Sequence, residues 1–449
     1  PSYRLIGKAA RSGSGRGLAA LGLTAPLVGR RRELELLLDA FDQALRGRPQ
    51  VVRVMGEAGS GKTRLIEEFV SRLDREGRLE GIALRRAACV SIGDRTFGVL
   101  ASLIRDGYAI EPTDSLEVAR DKLETGLQAI GTDGGEAAEM VPYFAAVLGI
   151  EAGGEALDQI EPEQLKRQIF MAARSMFEHR LRTGPLLTVV EDLHWADAAS
   201  VELLRFLVDR LDDRPFLLLL SHRPSFDVGT LATSRTSQAA IRLGPLSDDE
   251  CEALISALFE TSAGGVAHQL RQLIVERAGG NPFYLEEIVR GLVESGVLHR
   301  DDGGMWRSSG TVAMRDVPLT IQGLLLSRLD RLPPPVRRLT QEAAALGVEF
   351  DRALLARISR EPDQPDDQLD RGLEALRAAE LIEDTGGGAF GDKDRRYRFT
   401  HSIVQEVVYQ NLLLKSRTAL HGRAGAELEA ICGGMPERLE QIEALAYHF

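Results

Sequence analysis

Gly56-Glu57-Ala58-Gly59-Ser60-Gly61-Lys62-Thr63 follows an apolar run, Val51 to Met55, and precedes a segment with helical spacing, Arg64 to Leu73. The octapeptide fits G-x-x-x-x-G-K-[ST], and it stands in the context that the pattern requires: strand, glycine-rich turn, helix. Glycines let a backbone fold tightly enough for several N–H groups to converge on a polyphosphate at the positive end of the next helix. In such a loop Lys62 is expected to neutralise the β- and γ-phosphates, and the Thr63 hydroxyl to be a ligand for Mg²⁺.

The 449 residues predict about two to four domains. Lys+Arg number 55 against Asp+Glu 67, a formal net charge of −12, so the chain as a whole lacks the electrostatic footprint of a nucleic-acid binder. Cys89, Cys251 and Cys432 lie far apart, with neither a C-x-x-C pair nor a histidine at ligand spacing. They are read as reduced thiols of a cytoplasmic protein, not as a disulfide framework or zinc site. No apolar run approaches the roughly 18 residues that cross a bilayer, so no membrane partner is expected. The sequence starts at Pro1 and stops at Phe449 inside a helical pattern, and it is read as a fragment.

In order, residues 1–26 form a basic Gly/Ser/Ala-rich linker with Arg4, Lys8, Arg11 and Arg16 and no acidic residue. An α/β core is expected over 27–245, a helical domain over 246–312, a winged-helix domain over 313–413 and the start of a helical repeat array over 414–449. The core opens on an amphipathic helix with Leu34, Leu37, Leu38, Phe41 and Leu45 on one face. Gly81 to Ala88 predicts a second strand, and the region from Phe97 to about Arg182 reads as mostly helical, broken at Gly131 to Gly135 and Gly153-Gly154.

A second signature is the apolar strand Leu186 to Val190 delivering Glu191 and Asp192. Ligands of open α/β sheets sit at the C-terminal strand ends, so these carboxylates are placed to hold Mg²⁺ and to orient an attacking water. The pattern is Walker B, and the order of the two acids leaves open which serves the metal and which the water. Another apolar run, Phe216 to Leu220, ends in Ser221-His222-Arg223-Pro224. Arg223 is placed either to sense a γ-phosphate or merely to cap a strand. Ala240 to Leu243 predicts the last core strand, and Ser247-Asp248-Asp249-Glu250 a helix capping box. Ala278 to Pro282 reads as a helix stop followed by a proline-started helix.

Beyond Pro318, helices are predicted over Ile321 to Leu332, Val336 to Leu346, Arg352 to Ile358 and Gln368 to Ala379. Short β runs at Leu381 to Glu383 and Tyr397 to Phe399 complete a winged-helix pattern. Its recognition-helix position carries Asp370, Arg371, Glu374, Arg377 and Glu380, a mixed face unlike one built for phosphates, so DNA binding through this chain is not expected. Thr418 to Ile431 and Glu437 to Phe449 form a helix pair.

Taken together, the motifs resemble the STAND class of P-loop signalling ATPases, relatives of the AAA-type machines. Leu27-Val28-Gly29-Arg30 with Glu33 looks like the family's adenine-proximal motif, with Arg31 replacing the usual first glutamate. Gly56 to Thr63 matches Walker A, and Val190 to Asp197 is similar to the extended Walker B. Arg223 matches the sensor arginine, and Gly280-Asn281-Pro282 the G-x-P motif that approaches the nucleotide from the helical domain. Arg398-Phe399-Thr400-His401 resembles the segment whose histidine contacts phosphates in the resting form, though a histidine at a helix start also serves as a cap or core residue.

The resemblance implies an α/β P-loop NTPase core, a parallel sheet with helices on both faces, then an all-helical domain, a winged helix and TPR-like repeats. It implies ATP and Mg²⁺ as ligands. The implied nucleotide contacts are Val28, Gly29, Arg30, Gly56, Glu57, Ala58, Gly59, Ser60, Gly61, Lys62, Thr63, Arg64, Pro282 and His401. Thr63, Glu191 and Asp192 are the implied metal residues, and Glu191, Asp192 and Arg223 the catalytic ones. The expected function is a slow Mg-dependent ATPase switch that alternates between ATP and ADP, binds a protein partner through its repeats and controls an output domain. Tyr3-Arg4-Leu5-Ile6-Gly7 and the basic linker look like the junction below a class III nucleotidyl cyclase domain, the expected upstream output. The alternatives are the ATPase region of a LuxR-type transcription regulator and a nucleotide-locked scaffold without significant hydrolysis. An oligomer is left open.

Overall fold

Val51 to Met55, Leu186 to Val190 and Phe216 to Leu220 are apolar runs interrupted only at Arg53 and Thr188, as strands covered on both faces require, and each becomes an inner strand of one parallel sheet. The computed structural model describes residues 23, 26–89, 96–110, 114, 116–132, 134–148, 160–210, 214–229, 231, 236–259, 266–301, 305–308, 320–359, 366–387 and 395–431. The chain runs through α1 (Arg31–Leu45), β1 (Gln50–Gly56), α2 (Lys62–Arg75), β2 (Ala83–Ala88), α3 (Gly98–Tyr108), α4 (Leu116–Ala129), α5 (Gly134–Leu148), α6 (Pro162–Thr183) and β3 (Leu186–Glu191). There follow α7 (Ala198–Arg210), β4 (Phe216–His222), β5 (Ser237–Leu243), α8 (Asp248–Leu258), α9 (His268–Ala278) and α10 (Pro282–Glu294). Next come β6 (Leu298–Arg300), β7 (Trp306–Ser308), α11 (Ile321–Arg331), α12 (Pro334–Leu346), β8 (Glu349–Asp351) and α13 (Arg352–Ile358). The described chain finishes with α14 (Asp366–Ala378), β9 (Ile382–Gly387), β10 (Arg395–Phe399), α15 (Ser402–Gln410) and α16 (Leu414–Ile431).

These elements divide into two units. One comprises residues 1–34, 59–76 and 244–324, and the other residues 35–58, 77–243 and 325–449.

The larger unit holds the five-stranded sheet in the order β2-β3-β4-β1-β5, with every pairing parallel. All seven residues of β4 are buried, and β1 is buried except at Arg53. On the edge strand β5, exposed residues outnumber buried ones. Because all strands run the same way, the C-terminal ends of β1, β3 and β4 share one sheet edge. Helices α3 to α7 supply the core around it. Phe170 meets Phe97 edge-on at 6.0 Å and Phe206 at 5.3 Å, and Phe177 meets Phe216 at 6.4 Å. Each such buried ring stabilises by about 1.5–3 kcal/mol.

In the same unit, β8-β10-β9 form an antiparallel sheet with α12 to α16 around it. Phe350 stacks on Tyr397 and tilts against Phe399, and the buried Gln405 Nε2 donates to the Ala344 carbonyl at 2.8 Å, joining α15 to α12. The smaller unit is built on α8, α9 and α10, whose apolar faces enclose Ile255, Phe259, Ile274, Leu285 and Ile288, with Trp306 of the β6-β7 hairpin edge-on to Phe259 at 5.6 Å.

Several expectations shift. Leu45 is 40% exposed, and the buried stripe of α1 is Leu34, Leu37, Ala40, Phe41 and Ala44, because small alanines fill the positions nearest the core. Strand β4 extends through Ser221 and His222, which pair with Val54 and Met55 of β1. Ser221 Oγ is occupied by the Asp192 N–H, which is how a polar residue stays inside the sheet. Glu380 falls outside α14, at φ 54°, as the left-handed residue that ends it. The strands β6, β7 and β8 have three residues each, too few to produce a periodic signal. Cys432 and the helix expected from Glu437 lie outside the described residues, as does nearly all of the 1–26 linker.

Candidate functional site

In the smaller unit, Gly59 and Gly61 adopt φ of 78° and 92°, conformations open to glycine and strained for other residues. Gly61 is the N-cap of α2 and brings no side chain to cap it, so the first amides of the helix lack a side-chain acceptor from that position. The Ser60 Oγ is buried without a hydrogen-bond partner. Lys62 is only 8% exposed at the first turn of the helix. A left-handed glycine turn, an uncapped helix start and an orphaned hydroxyl fit an oxygen-rich anion, the ligand class that the sequence pattern calls for.

The turn between α9 and α10 closes on this loop. Gly279 ends α9 in the left-handed region, and Asn281 caps α10 by accepting the Tyr284 N–H at 3.1 Å. A Cβ on Gly59 would lie 2.8 Å from Asn281 Oδ1 and 3.0 Å from Phe283 Cβ, and one on Gly61 would lie 3.9 Å from Pro282 Cγ. The Phe283 N–H points at the Gly59 carbonyl, 3.4 Å away. The Gly280 carbonyl accepts the Leu246 N–H at 2.7 Å, which holds the turn against the start of the helical segment. Glu286, one turn into α10, is pushed up to about 7 by burial, with the Arg64 guanidinium opposing the rise.

The Val28-Gly29-Arg30 segment belongs to the same unit. Val28 packs on the helical core, and Gly29, at φ 71°, lies so close to Glu250 that a Cβ would come within 2.5 Å of its carboxylate. Glu250 is held there by the capping box: its carboxylate accepts the Ser247 N–H at 2.8 Å while Ser247 Oγ accepts the Glu250 N–H at 3.2 Å.

In the larger unit, Gly56, Glu191 and Arg223 all arrive at the C-terminal edge of the sheet, from β1, β3 and β4. Asp192 follows at φ 53° and opens a 3-10 turn, Leu193–Trp195. Asp197 accepts the N–H groups of Phe97, Gly98 and Ser200, so it caps α7 and the start of α3 together. Arg223 lies over the Trp195 ring at 5.5 Å and donates to Glu406 of α15 at 2.9 Å. His401 occupies the N-cap of α15, but its side chain makes no capping hydrogen bond. Arg398 donates to Glu383 from Nε at 3.0 Å and lies 3.9 Å from Glu349. Burial works against its charge, and Glu383, Glu349 and Glu191 together hold it protonated more firmly than usual. Cys89 is pushed up to about 12, by burial and then by Asp192 and Asp197, which makes it an inert thiol. Among the described residues no group of three or more His, Cys, Asp and Glu side chains is placed to hold a metal ion.

Each unit therefore gathers its own share of the expected residues. Glu406 and Glu286 had not been singled out, and Trp195 and Arg398 had been named only as members of longer motifs. For Glu406 no local signal exists, because its partner is 183 residues away.

With this geometry in hand, the known proteins are informative. Residues 26–220 match the AAA ATPase domain family. The parallel sheet with its flanking helices is of the P-loop ATPase type, and the C-terminal region is largely helical. An uncharacterized protein of Rhizobium meliloti is 26% identical over 408 residues, covering 89% of this chain; the chain spans only 36% of that relative. Among solved structures, a signal transduction ATPase with numerous domains (STAND) carrying a tetratricopeptide repeat sensor, from Pyrococcus horikoshii, overlaps 94% of this chain and 47% of its own length, with a TM-score of 0.47 and 14% identity. The ORC1 protein of Aeropyrum pernix in complex with DNA overlaps 89% of this chain and 97% of its own length, with a TM-score of 0.40 and 12% identity. Among the described residues no helix is long and apolar enough to cross a membrane.

Proposed function

We propose that the chain is an ATP-binding, slowly hydrolysing switch of the STAND type. The observation that carries this reading is the Gly59–Lys62 turn, with its left-handed glycines, orphaned Ser60 hydroxyl and uncapped α2, placed under the Asn281-Pro282 turn. Backbone amides of Gly59 to Thr63 and the Lys62 ammonium hold the phosphates. Glu57, Ala58 and Arg64 flank them, and the base lies against Val28, Gly29, Arg30 and Pro282. Thr63, Glu191 and Asp192 would hold Mg²⁺, which supplies charge neutralisation at the phosphates. Of the two carboxylates, the one not engaged with the metal orients the attacking water. Arg223 senses the γ-phosphate, and His401 contacts phosphates in the resting state.

The segment from α11 to α15, with β9-β10 as its wing, acts as a winged-helix packing module. Its arginines support this over DNA reading: Arg352 is paired with Asp370, Arg396 with Asp351 and Arg398 with Glu383, so these cations are spent within the fold. Helix α16 begins a TPR-like partner-binding array, and the output is a nucleotidyl cyclase domain joined through the basic linker.

The test is ATP binding by Lys62→Ala. Affinity should fall at least ~100-fold with little change in thermal midpoint, and undiminished binding would refute the reading. Asp192→Asn should slow hydrolysis more than it weakens binding.

A further inference from the structure

We propose that Arg85, Arg180 and the Tyr108 hydroxyl form a binding site for a tetrahedral dianion, of the phosphate or sulfate class, on the helix-covered face of the parallel sheet at its β2 edge. The site lies wholly within the larger unit and does not depend on the nucleotide reading.

Ala83 and Ala87 of β2 are buried in the core beneath the helices, so Arg85, two residues from each, extends its side chain to the same face. An arginine on a core-facing position calls for a compensating group. Its Nη1 donates to the Leu84 carbonyl at 2.9 Å, and Arg180, on α6, donates to the Thr183 hydroxyl of its own helix. Among the described residues neither guanidinium has a carboxylate within ion-pair distance. The two are close enough to oppose one another: burial first, and then the charge of Arg85, make the charge on Arg180 harder to hold than usual. Both act on Tyr108 of α3, whose hydroxyl is nevertheless pushed up by burial and so remains a donor. Asp106 offsets this charge only in part. It accepts the Arg86 N–H at 3.0 Å, and burial raises its carboxyl in spite of that bond and of Arg85 and Arg86, whereas a closely paired carboxyl would be lowered.

The surrounding elements are shaped to admit these side chains. A Cβ on Gly107, inside α3, would stand 2.8 Å from Arg85 Nε, and one on Gly126, inside α4, would overlap the Tyr108 ring. Glycine inside a helix is destabilising relative to alanine, and here it makes the room that the arginine and the phenol occupy. Thr188, the register partner of Arg85 on β3, is 1% exposed, and its Oγ1 has no hydrogen-bond partner among the described residues. Register partners share a face of the sheet, so an unsatisfied hydroxyl stands on the side where Arg85 lies.

Two guanidiniums bring two positive charges and two forks of donors, and the phenol adds another. A carboxylate has oxygens for one fork only. Phosphate and sulfate have oxygens for both forks and the hydroxyl, with a charge to match the pair. Strands β3 and β4 separate β2 from β1 by about 14 Å at the usual strand spacing, which sets the site apart from the end of β1.

The experiment is thermal unfolding of the full chain in a Lys62→Ala background, which weakens any phosphate binding at the Gly59–Lys62 turn. Inorganic phosphate or sulfate replaces chloride at constant ionic strength. General salt effects act on every variant alike, so the signal is the difference between variants. The midpoint gained from phosphate should be about 2–4 °C larger in Lys62→Ala than after Arg85→Gln or Arg180→Gln is added to it. Tyr108→Phe, which removes one oxygen and carries the test if the arginine variants fold poorly, should lose about half of that gain. Glycerol phosphate, run in parallel, should reproduce the gain if the site takes esterified phosphate and lack it if the site takes the free ion. Gains from inorganic phosphate and sulfate that are equal in all variants, whatever their starting midpoints, overturn the proposal.

Discussion

Arg30 donates a hydrogen bond from Nη2 to the Gly244 carbonyl at 2.6 Å, joining residues 214 positions apart inside the smaller unit. The guanidinium also lies 3.5 Å from Glu33, and the residue is only 7% exposed. Arg30→Ala should strand both acceptors and cost about 2–3 kcal/mol, read as a lower urea midpoint at unchanged slope. Arg30→Lys should recover less than half, because an ammonium does not reproduce the fork that reaches both partners. An unchanged midpoint in either variant would show the contact to be incidental.

Gly47 and Gly59 share φ 78°, but only Gly59 has neighbours where a Cβ would stand. Gly47→Ala should therefore report the backbone term alone, about 1–2 kcal/mol. Gly59→Ala should lose at least ~1 kcal/mol more, because Asn281 and Phe283 must move away. Equal losses in thermal unfolding would mean that the Asn281 turn yields freely.

Glu286 gives the smaller unit a pH dependence of defined sign. Its folded value, about 7, lies above the ordinary 4.5, so the folded state retains the proton between those limits while the unfolded chain releases it. This contribution to stability is fully present below about pH 4.5, falls as pH rises toward 7 and is then lost. Glu286→Gln should remove that slope, becoming more stable than wild type by on the order of 3 kcal/mol above pH 7. Denaturant midpoints at pH 5, 6, 7 and 8 decide the matter, and a constant difference between the two proteins would contradict it.

Asp197 caps two helices with one carboxylate, so Asp197→Ala should cost about 2–4 kcal/mol, more than a single cap. Asp197→Asn keeps one acceptor oxygen and should recover part of the loss. Amide hydrogen exchange at Phe97 and Gly98 should rise in the alanine variant; protection equal to wild type would limit the role of Asp197 to its own helix.

What was legible in the sequence was local or periodic. Glycine spacing in Gly56 to Thr63, the apolar runs of β1, β3 and β4, and the Ser247–Glu250 box each depend on neighbours within a few residues, so composition and spacing determined them before any packing was known. Only the tertiary structure decided the strand order β2-β3-β4-β1-β5, the burial of Ser221 and His222 in β4, and the replacement of Leu45 by Ala40 and Ala44 on the buried face of α1. It alone paired Arg30 with Gly244 and Arg223 with Glu406. The reason is physical: such partners meet because the chain between them has folded, and a single charged or polar side chain leaves no periodic trace of the distant group that will satisfy it.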